Sequence, residues 1–241
     1  TEAFVQRMNS YAAELGLTNT RFTVPDGIDT PNSYSTARDV ALLGAALMRN
    51  EFLASVVREP GYSFISVGPE QRQYQKASTN ARLGQSGIVG IKTGTTDEAG
   101  GNVVLAREVN NGANIVIIAI IGADHSYETG TDARWTDADA LIADMDRRFT
   151  WTTPDSADLM PGLLEQMQVW DVEFQNPPAI PVPAAGEMAL GYQLQIGPPA
   201  EPGQRVGAVH IYYGDSEAGS IPVYQAAGQA AVTAPRQWAA A

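Results

Sequence analysis

The residues Lys92-Thr93-Gly94 combine a positive charge, a hydroxyl group and a position without a side chain. They lie in the stretch GIVGIKTGTTDEAGGN, and Lys92 is one of only two lysines in the chain. Because a glycine has no Cβ, a ligand can approach the backbone closely there. A lysine and a threonine beside such a position are suited to holding a carboxylate. A surface turn is the alternative, since a match of three residues has a real false-positive risk.

The neighbouring elements must bring this tripeptide to the end of a strand. Strand-like composition is found in five segments: 62–67, 72–76, 87–91, 101–108 and 114–121. Helical spacing of apolar residues predicts three helices: 1–15, 36–50 and 134–149. The first two also have capping residues at the start. The apolar run from Ala113 to Ala123 is too short to span a bilayer and is interpreted as a buried strand.

The composition changes after Trp151, where Pro and Gly become dense and helical periodicity ends. Four β-like pieces remain in this part of the chain: QVWDVEF, MALGYQLQI, RVGAVHIYY and SIPVYQA. We therefore predict a boundary near Thr150. Residues 1–150 form an α/β domain with an antiparallel sheet and helices, and residues 151–241 form a small all-β domain, either a sandwich or barrel-like.

Charge and cysteine content exclude several kinds of site. The formal net charge is −12, so nucleic acid is not an expected partner, because affinity for nucleic acid comes largely from Lys and Arg. The chain has no cysteine, which excludes disulfides, thiolate metal ligands and a cysteine nucleophile.

The surroundings of Lys92-Thr93-Gly94 resemble the low-molecular-mass penicillin-binding proteins that act as D-alanyl-D-alanine carboxypeptidases. The K-T-G tripeptide is the third motif of serine β-lactamases and penicillin-binding proteins, after S-x-x-K and S-D-N. Four stretches carry the resemblance in the same order: FVQRMNSYAAELGLTNTRFTVPDGID, YSTARDVALLGAALMRN, STNARL and GIVGIKTGTTDEAGGNVV. The resemblance is strong over residues 1–110 and weaker after 150. It implies a penicillin-binding, serine β-lactamase-like fold for the first domain.

The resemblance also implies an activity. A serine would attack the D-Ala-D-Ala peptide bond of a peptidoglycan pentapeptide, D-Ala would leave, and water would hydrolyse the acyl-enzyme. β-Lactams would acylate the same serine, no cofactor or metal would be needed, and the protein would act outside the cytoplasmic membrane.

Five residues of this chain match substrate-binding positions of the family. Lys92, Thr93 and Gly94 would line the substrate, with Thr93 contacting its carboxylate. Thr95 would supply a backbone oxyanion donor. Asn80, in Ser78-Thr79-Asn80, matches an Asn-containing strand that precedes K-T-G in the family, and would belong to the wall of the site; a plain strand end is the alternative.

The nucleophile motif itself is missing from this sequence. The only lysines are Lys76 and Lys92, and the residues three positions before them are Gln73 and Val89. No Ser-x-x-Lys is therefore possible. We expect the nucleophile, its lysine and the S-x-N element before Thr1, either on a missing N-terminal segment or on a companion chain, and we favour the companion N-terminal fragment. A non-catalytic cell-wall binding or scaffolding fragment is the alternative.

Other candidate sites have weaker patterns. Thr1 could be an N-terminal nucleophile, but it has the position of an ordinary helix cap. His125 and His210 are too separated for a metal site. The loop around His125 contains three carboxylates, for which a solvated loop is the favoured interpretation: Asp124, Glu128 and Asp132. Some family members place a substrate-contacting basic residue in this loop, whereas Arg134 is expected to begin the next helix.

Overall fold

The computed structural model describes residues 1–156, 159–184 and 188–227. The chain divides into two compact units, Thr1–Met145 and Asp146–Ala241. The end of the second predicted domain, residues 228–241, lies outside the described residues. The predicted division into two domains, with a boundary near Thr150, stays a proposal.

The three predicted helices are present in the structure. They are α1 (Glu2–Glu14), α2 (Ala37–Met48) and α4 (Ala133–Arg148). Thr36 caps α2 by accepting a hydrogen bond from the Asp39 backbone N–H, at 3.1 Å. Thr1 precedes α1, but its side chain makes no capping hydrogen bond.

In the first unit, a further helix, α3 (Glu51–Val57), was not predicted. The Asn50 side chain accepts a hydrogen bond from the Leu53 backbone N–H, at 3.0 Å. Asn50 therefore begins a new helix as its N-cap rather than ending α2. Among the described residues, no single helix is long and apolar enough to cross a membrane; α2 and α3 pass that test only together, and they are bent by 109°.

The predicted strands of the first unit are also present. β1 (Gly61–Ile65) pairs with β2 (Gln73–Ala77) as an antiparallel hairpin. β3 (Ile88–Thr96), β4 (Gly100–Val109) and β5 (Asn114–Ala123) form an antiparallel sheet in that order. Two short strands, β6 (His125–Ser126) and β7 (Thr131–Asp132), close the loop before α4.

The strand containing Lys92 is longer than predicted. Lys92-Thr93-Gly94 lies inside β3 and pairs with Val104, Val103 and Asn102 of β4, whereas the sequence predicts that the strand ends at Ile91. The β-branched threonines of this stretch favour extended backbone, and β4 supplies partners along all of it. The turn comes later, over residues 97–99.

Helices cover both faces of the three-stranded sheet. On one face, Val103, Leu105 and Ile118 pack with α4 residues Ala138 and Ile142. On the other face, α2 approaches through Gly44, where a Cβ would lie only 3.0 to 3.2 Å from the side chains of Val104, Ile117 and Ile91. The alternation of neighbouring strand residues between the two faces follows the period of two in a β-strand.

The second unit contains two sheets and a helix. β8 (Phe149–Thr152) pairs with β10 (Ile180–Pro183). A four-stranded antiparallel sheet has the order β11 (Leu190–Ile196), β12 (Arg205–Tyr213), β13 (Ser216–Gln225) and β9 (Val172–Glu173). The three longer strands match three of the four predicted pieces.

The expectation of an all-β second domain was wrong in one respect. Residues Leu163–Trp170 form a helix, α5, so most of the predicted piece QVWDVEF is not a strand. Leu163 and Met167 are four residues apart and both are buried in the core of this unit, beside Val209 and Val223. The helical spacing is present in the sequence, but it covers only two turns.

Candidate active site

Strand β3 presents Lys92 and Gly94 at the surface, with Thr93 half-buried between them. The Lys92 ammonium group donates a hydrogen bond to the Thr93 carbonyl oxygen. Within the described residues, β3 pairs with β4 only. Its other edge contacts the segment that follows β2, through Thr79 and Asn80. An extended peptide can add to such an edge as an extra strand.

A groove of about 750 Å³ runs along this edge. We call it the β3 groove, and five of its lining residues enter the argument: Lys76, Thr79, Asn80, Lys92 and Thr93. Both lysines of the chain are among them, in a protein whose formal net charge is −12. The groove therefore gathers positive charge, although Glu59 also lines it.

The segment Ser78-Thr79-Asn80 forms the opposite wall of the groove. Thr79 Oγ1 lies 2.6 Å from Thr93 Oγ1. Asn80 is buried, and its side-chain amide donates to the Gly90 carbonyl oxygen of β3 at 3.2 Å. The Asn80 amide is therefore engaged with the strand itself, and its predicted role toward a substrate stays a prediction.

Gly94 leaves open space beside the strand. A Cβ at this position would find no described atom closer than the Asn102 Cβ, at 3.9 Å. Internal packing therefore does not require a glycine here. The absence of a side chain leaves the surface of β3 accessible at this position.

Arg134 forms hydrogen bonds to the backbone of β3 and β4, and the sequence alone did not reveal this contact. It begins α4 as expected, and its guanidinium group is buried. Its Nη1 donates to the carbonyl oxygens of Gly94, at 2.9 Å, and of Asn102, at 3.2 Å. Its Nε donates to Asp132 at 2.6 Å. The basic residue of this region therefore fixes the backbone at Gly94, the third residue of the tripeptide.

The Asp132 carboxylate is held in its charged form. Burial acts to raise its pKa, but the hydrogen bond and positive charge of Arg134, the charge of His125 and the hydrogen bond from the Trp135 indole outweigh burial, and the pKa is lowered. Asp132 is thus a partner of Arg134. Among the described residues, no group of three or more His, Asp or Glu side chains is arranged to hold a metal.

A second ion pair connects α4 with the wall of the groove. Arg82, two residues after Asn80, donates to both carboxylate oxygens of Asp139 at 3.0 and 2.6 Å, and these hydrogen bonds lower the pKa of Asp139. The Trp135 ring centre lies 5.6 Å from the Arg82 guanidinium carbon and 5.7 Å from that of Arg134. One turn of α4 therefore contacts residues that support both walls of the groove.

The turn after β3 is also fixed. The Thr96 hydroxyl donates to one carboxylate oxygen of Asp29 at 2.7 Å, and the Glu98 backbone N–H donates to the other at 3.2 Å. Thr95 lies opposite Gly101 on β4. The loop PDGID thereby anchors the end of the strand that contains Thr95.

The remaining candidates are not brought into the groove. The Thr1 carbonyl accepts hydrogen bonds from the backbone N–H groups of Phe4 and Val5, which is the role of an ordinary residue at a helix start. His210 bonds to Glu217 at 2.7 Å and to Gln195 at 3.1 Å, in a different unit from His125.

A profile of the D-alanyl-D-alanine carboxypeptidase family matches residues 1–125. D-alanyl-D-alanine carboxypeptidase DacC of Escherichia coli is 35% identical over 161 residues, which are 65% of this chain and 36% of that protein. The chain spans about a third of the length of the curated relatives it matches.

Solved structures support the same fold. The Streptomyces K15 DD-transpeptidase matches with a TM-score of 0.52 and 32% identity, over 59% of this chain and 53% of that one. Penicillin binding protein 5 from Haemophilus influenzae matches with a TM-score of 0.59, over 92% of this chain and 64% of that one. Its identity is 23%, so this likeness is one of fold.

Proposed function

Because this chain belongs to the D-alanyl-D-alanine carboxypeptidase family, we propose that it forms the substrate-binding side of a serine-type D-Ala-D-Ala carboxypeptidase. Its substrate is the peptidoglycan pentapeptide, and β-lactams bind in the same place. The observation that supports this proposal most directly is the groove that Lys92 and Thr93 line with the wall containing Thr79. The protein acts outside the cytoplasmic membrane, where peptidoglycan is found.

The substrate lies along β3 in this proposal. Thr93 donates its hydroxyl proton to the terminal carboxylate, and Lys92 attracts that carboxylate by its charge. Gly94 lets the peptide approach the strand. Thr95 gives its backbone N–H to the oxyanion that forms at the attacked carbonyl. Arg134 keeps the Gly94 carbonyl in place.

The serine comes from residues outside this chain. No serine here stands three positions before a lysine, so the S-x-x-K pair cannot be formed from these 241 residues. We propose that a companion N-terminal segment supplies it. The serine oxygen attacks the D-Ala-D-Ala carbonyl, its proton passes by way of the lysine to the departing amine of D-Ala, and water then hydrolyses the ester to restore the serine.

The test is to label the purified protein with a fluorescent penicillin and to separate the products on a denaturing gel. We expect the label on a polypeptide other than this chain, and an intact-mass spectrum that contains that second polypeptide. Label on a serine of this chain would contradict the placement of the nucleophile. A preparation that contains the companion segment and takes up no label would leave the non-catalytic cell-wall fragment as the better description.

A further inference from the structure

Thr79 makes a contact that the K-T-G motif does not explain. Its Oγ1 lies 2.6 Å from Oγ1 of Thr93, and both residues line the β3 groove. A threonine hydroxyl has one proton to donate and two lone pairs to accept with. Only one of the two protons can therefore lie between these oxygens, and the other is free to point elsewhere.

The chemistry of a carboxylate decides which proton must be free. An ionised carboxylate only accepts hydrogen bonds, so Thr93 can bind one only by donating its own proton. Thr93 must then accept from Thr79. We propose that Thr79 is a positioning residue that directs the Thr93 hydroxyl proton toward the terminal carboxylate of the peptide. This inference rests on the proposed function and names the feature of the substrate that Thr79 serves.

The residues on either side hold Thr79 in place. The Ser78 backbone N–H donates to the Pro60 carbonyl at 2.8 Å, and the Ser78 hydroxyl accepts from the Asn80 backbone N–H at 3.2 Å. The Asn80 amide is fixed on Gly90 of β3 at 3.2 Å. The Thr79 hydroxyl therefore meets Thr93 before any ligand arrives, which lowers the ordering cost of binding.

The charge of the groove and the hydroxyl pair have separate tasks. Lys76 and Lys92 attract an anion into the groove, but a charge does not select the direction of a hydroxyl proton. The hydrogen bond that Thr79 donates does select the direction of the Thr93 proton. It also polarises the Thr93 hydroxyl toward the next acceptor. A C-terminal amide offers both a donor and an acceptor, so it accommodates either direction of the Thr93 proton. Loss of the Thr79 hydroxyl should therefore weaken binding of the free acid and spare the amide.

The test compares Thr79→Val, which keeps the shape, with Thr79→Ser, which keeps the hydroxyl, in the enzyme that includes the serine-bearing segment. We expect Thr79→Val to raise KM for a peptide ending in free D-Ala-D-Ala by about 3- to 10-fold, with kcat within about twofold of wild type. The inhibition constant of the C-terminal amide should not change, and Thr79→Ser should restore KM. Ser63→Ala, on the exposed hairpin strand β1, serves as the control and should leave all constants unchanged.

Three results would overturn the inference. KM for the acid could stay unchanged in Thr79→Val, acid and amide binding could weaken together, or Thr79→Ser could fail to restore KM. If Thr79→Val does not fold, Thr79→Ala and Thr79→Ser give the same comparison. A wild-type enzyme that neither binds penicillin nor cleaves the peptide would overturn the proposed function together with this inference, whereas an active wild type with an equally active Thr79→Val would overturn this inference alone.

Discussion

Gly94 is the residue that best separates a ligand-binding strand from an ordinary one. A strand that only packs within the protein gains from a side chain, because glycine in a strand is unfavourable by about 0.5 to 1 kcal/mol relative to alanine. The space beside Gly94 would accept a Cβ without a close contact in the described structure. A substrate lying on β3 would occupy that space.

We therefore expect Gly94→Ala to leave the free energy of unfolding unchanged, or to raise it by up to about 1 kcal/mol, while slowing penicillin acylation at least about tenfold. Urea unfolding and the labelling rate measure the two effects. Gly191→Ala is the matched control, because a Cβ there would lie 3.7 Å from the Tyr212 Cβ in another strand. Labelling of Gly94→Ala at the wild-type rate would contradict a role for this position in ligand binding.

The lowered pKa of Asp132 leads to a prediction about how the free energy of unfolding depends on pH. Its pKa in the folded protein is below the ordinary value of about 3.9, so between those two pKa values the unfolded chain binds more protons than the folded chain. The stabilisation by this carboxylate is therefore fully present above about pH 5 and is lost as the pH falls through the folded pKa.

In Asp132→Asn, the free energy of unfolding should change less between about pH 5 and pH 2 than in the wild type. Urea unfolding at a series of pH values tests this. Asp137→Asn, at an exposed carboxylate of α4, the helix that follows Asp132, is the control. If the wild type and Asp132→Asn lose stability in parallel as the pH falls, the ion pair with Arg134 is not the cause.

At the scale of elements, the packing of α2 on the sheet depends on Gly44. A Cβ there already comes within 3.0 to 3.2 Å of three apolar side chains on β3, β4 and β5, so a larger residue must displace the helix. We expect Gly44→Leu to lower the free energy of unfolding of the first unit by about 1 to 3 kcal/mol. Ala46→Leu, two positions later and on the opposite side of the helix, adds the same side chain and should cost less. Equal losses in the two variants would contradict this packing.

The elements that the sequence predicts correctly have a clear period. The apolar residues of α1, α2 and α4 recur at helical spacing, and β5 is rich in β-branched residues. The seven residues of α3 are too few to establish a period. Asparagine is common both at helix starts and just after helix ends, so Asn50 by itself does not distinguish the two. In β3, the glycine and the threonines are also typical of a turn. Only their pairing with β4 shows that they belong to a strand.

The site was only partly predictable for the same reason. Lys92, Thr93 and Gly94 are adjacent in sequence, so a motif can reveal them. Arg134 is forty positions from Gly94, and no local pattern connects the two. The contact between Thr79 and Thr93 likewise exists only because the segment after β2 lies against the edge of β3.

At the scale of the whole molecule, the two units have separate apolar cores. The second core contains Leu163, which is fully buried on α5. We expect Leu163→Ala to lower the free energy of unfolding of this unit by about 2 to 5 kcal/mol. Amide hydrogen exchange should show lost protection in β11, β12 and β13, with β3, β4 and β5 unchanged. Equal loss of protection in both sets of strands would show that the two units unfold together.

The shortage of lysine has a practical consequence for chemical probing. Lys76 and Lys92 are the only side-chain amines in 241 residues, and both line the β3 groove. An amine-acylating reagent will therefore modify side chains of this chain at the groove alone. The extent of acylation of these two lysines, measured by mass spectrometry of the peptides, therefore reports whether the groove is occupied. The measurement needs neither a radiolabel nor turnover.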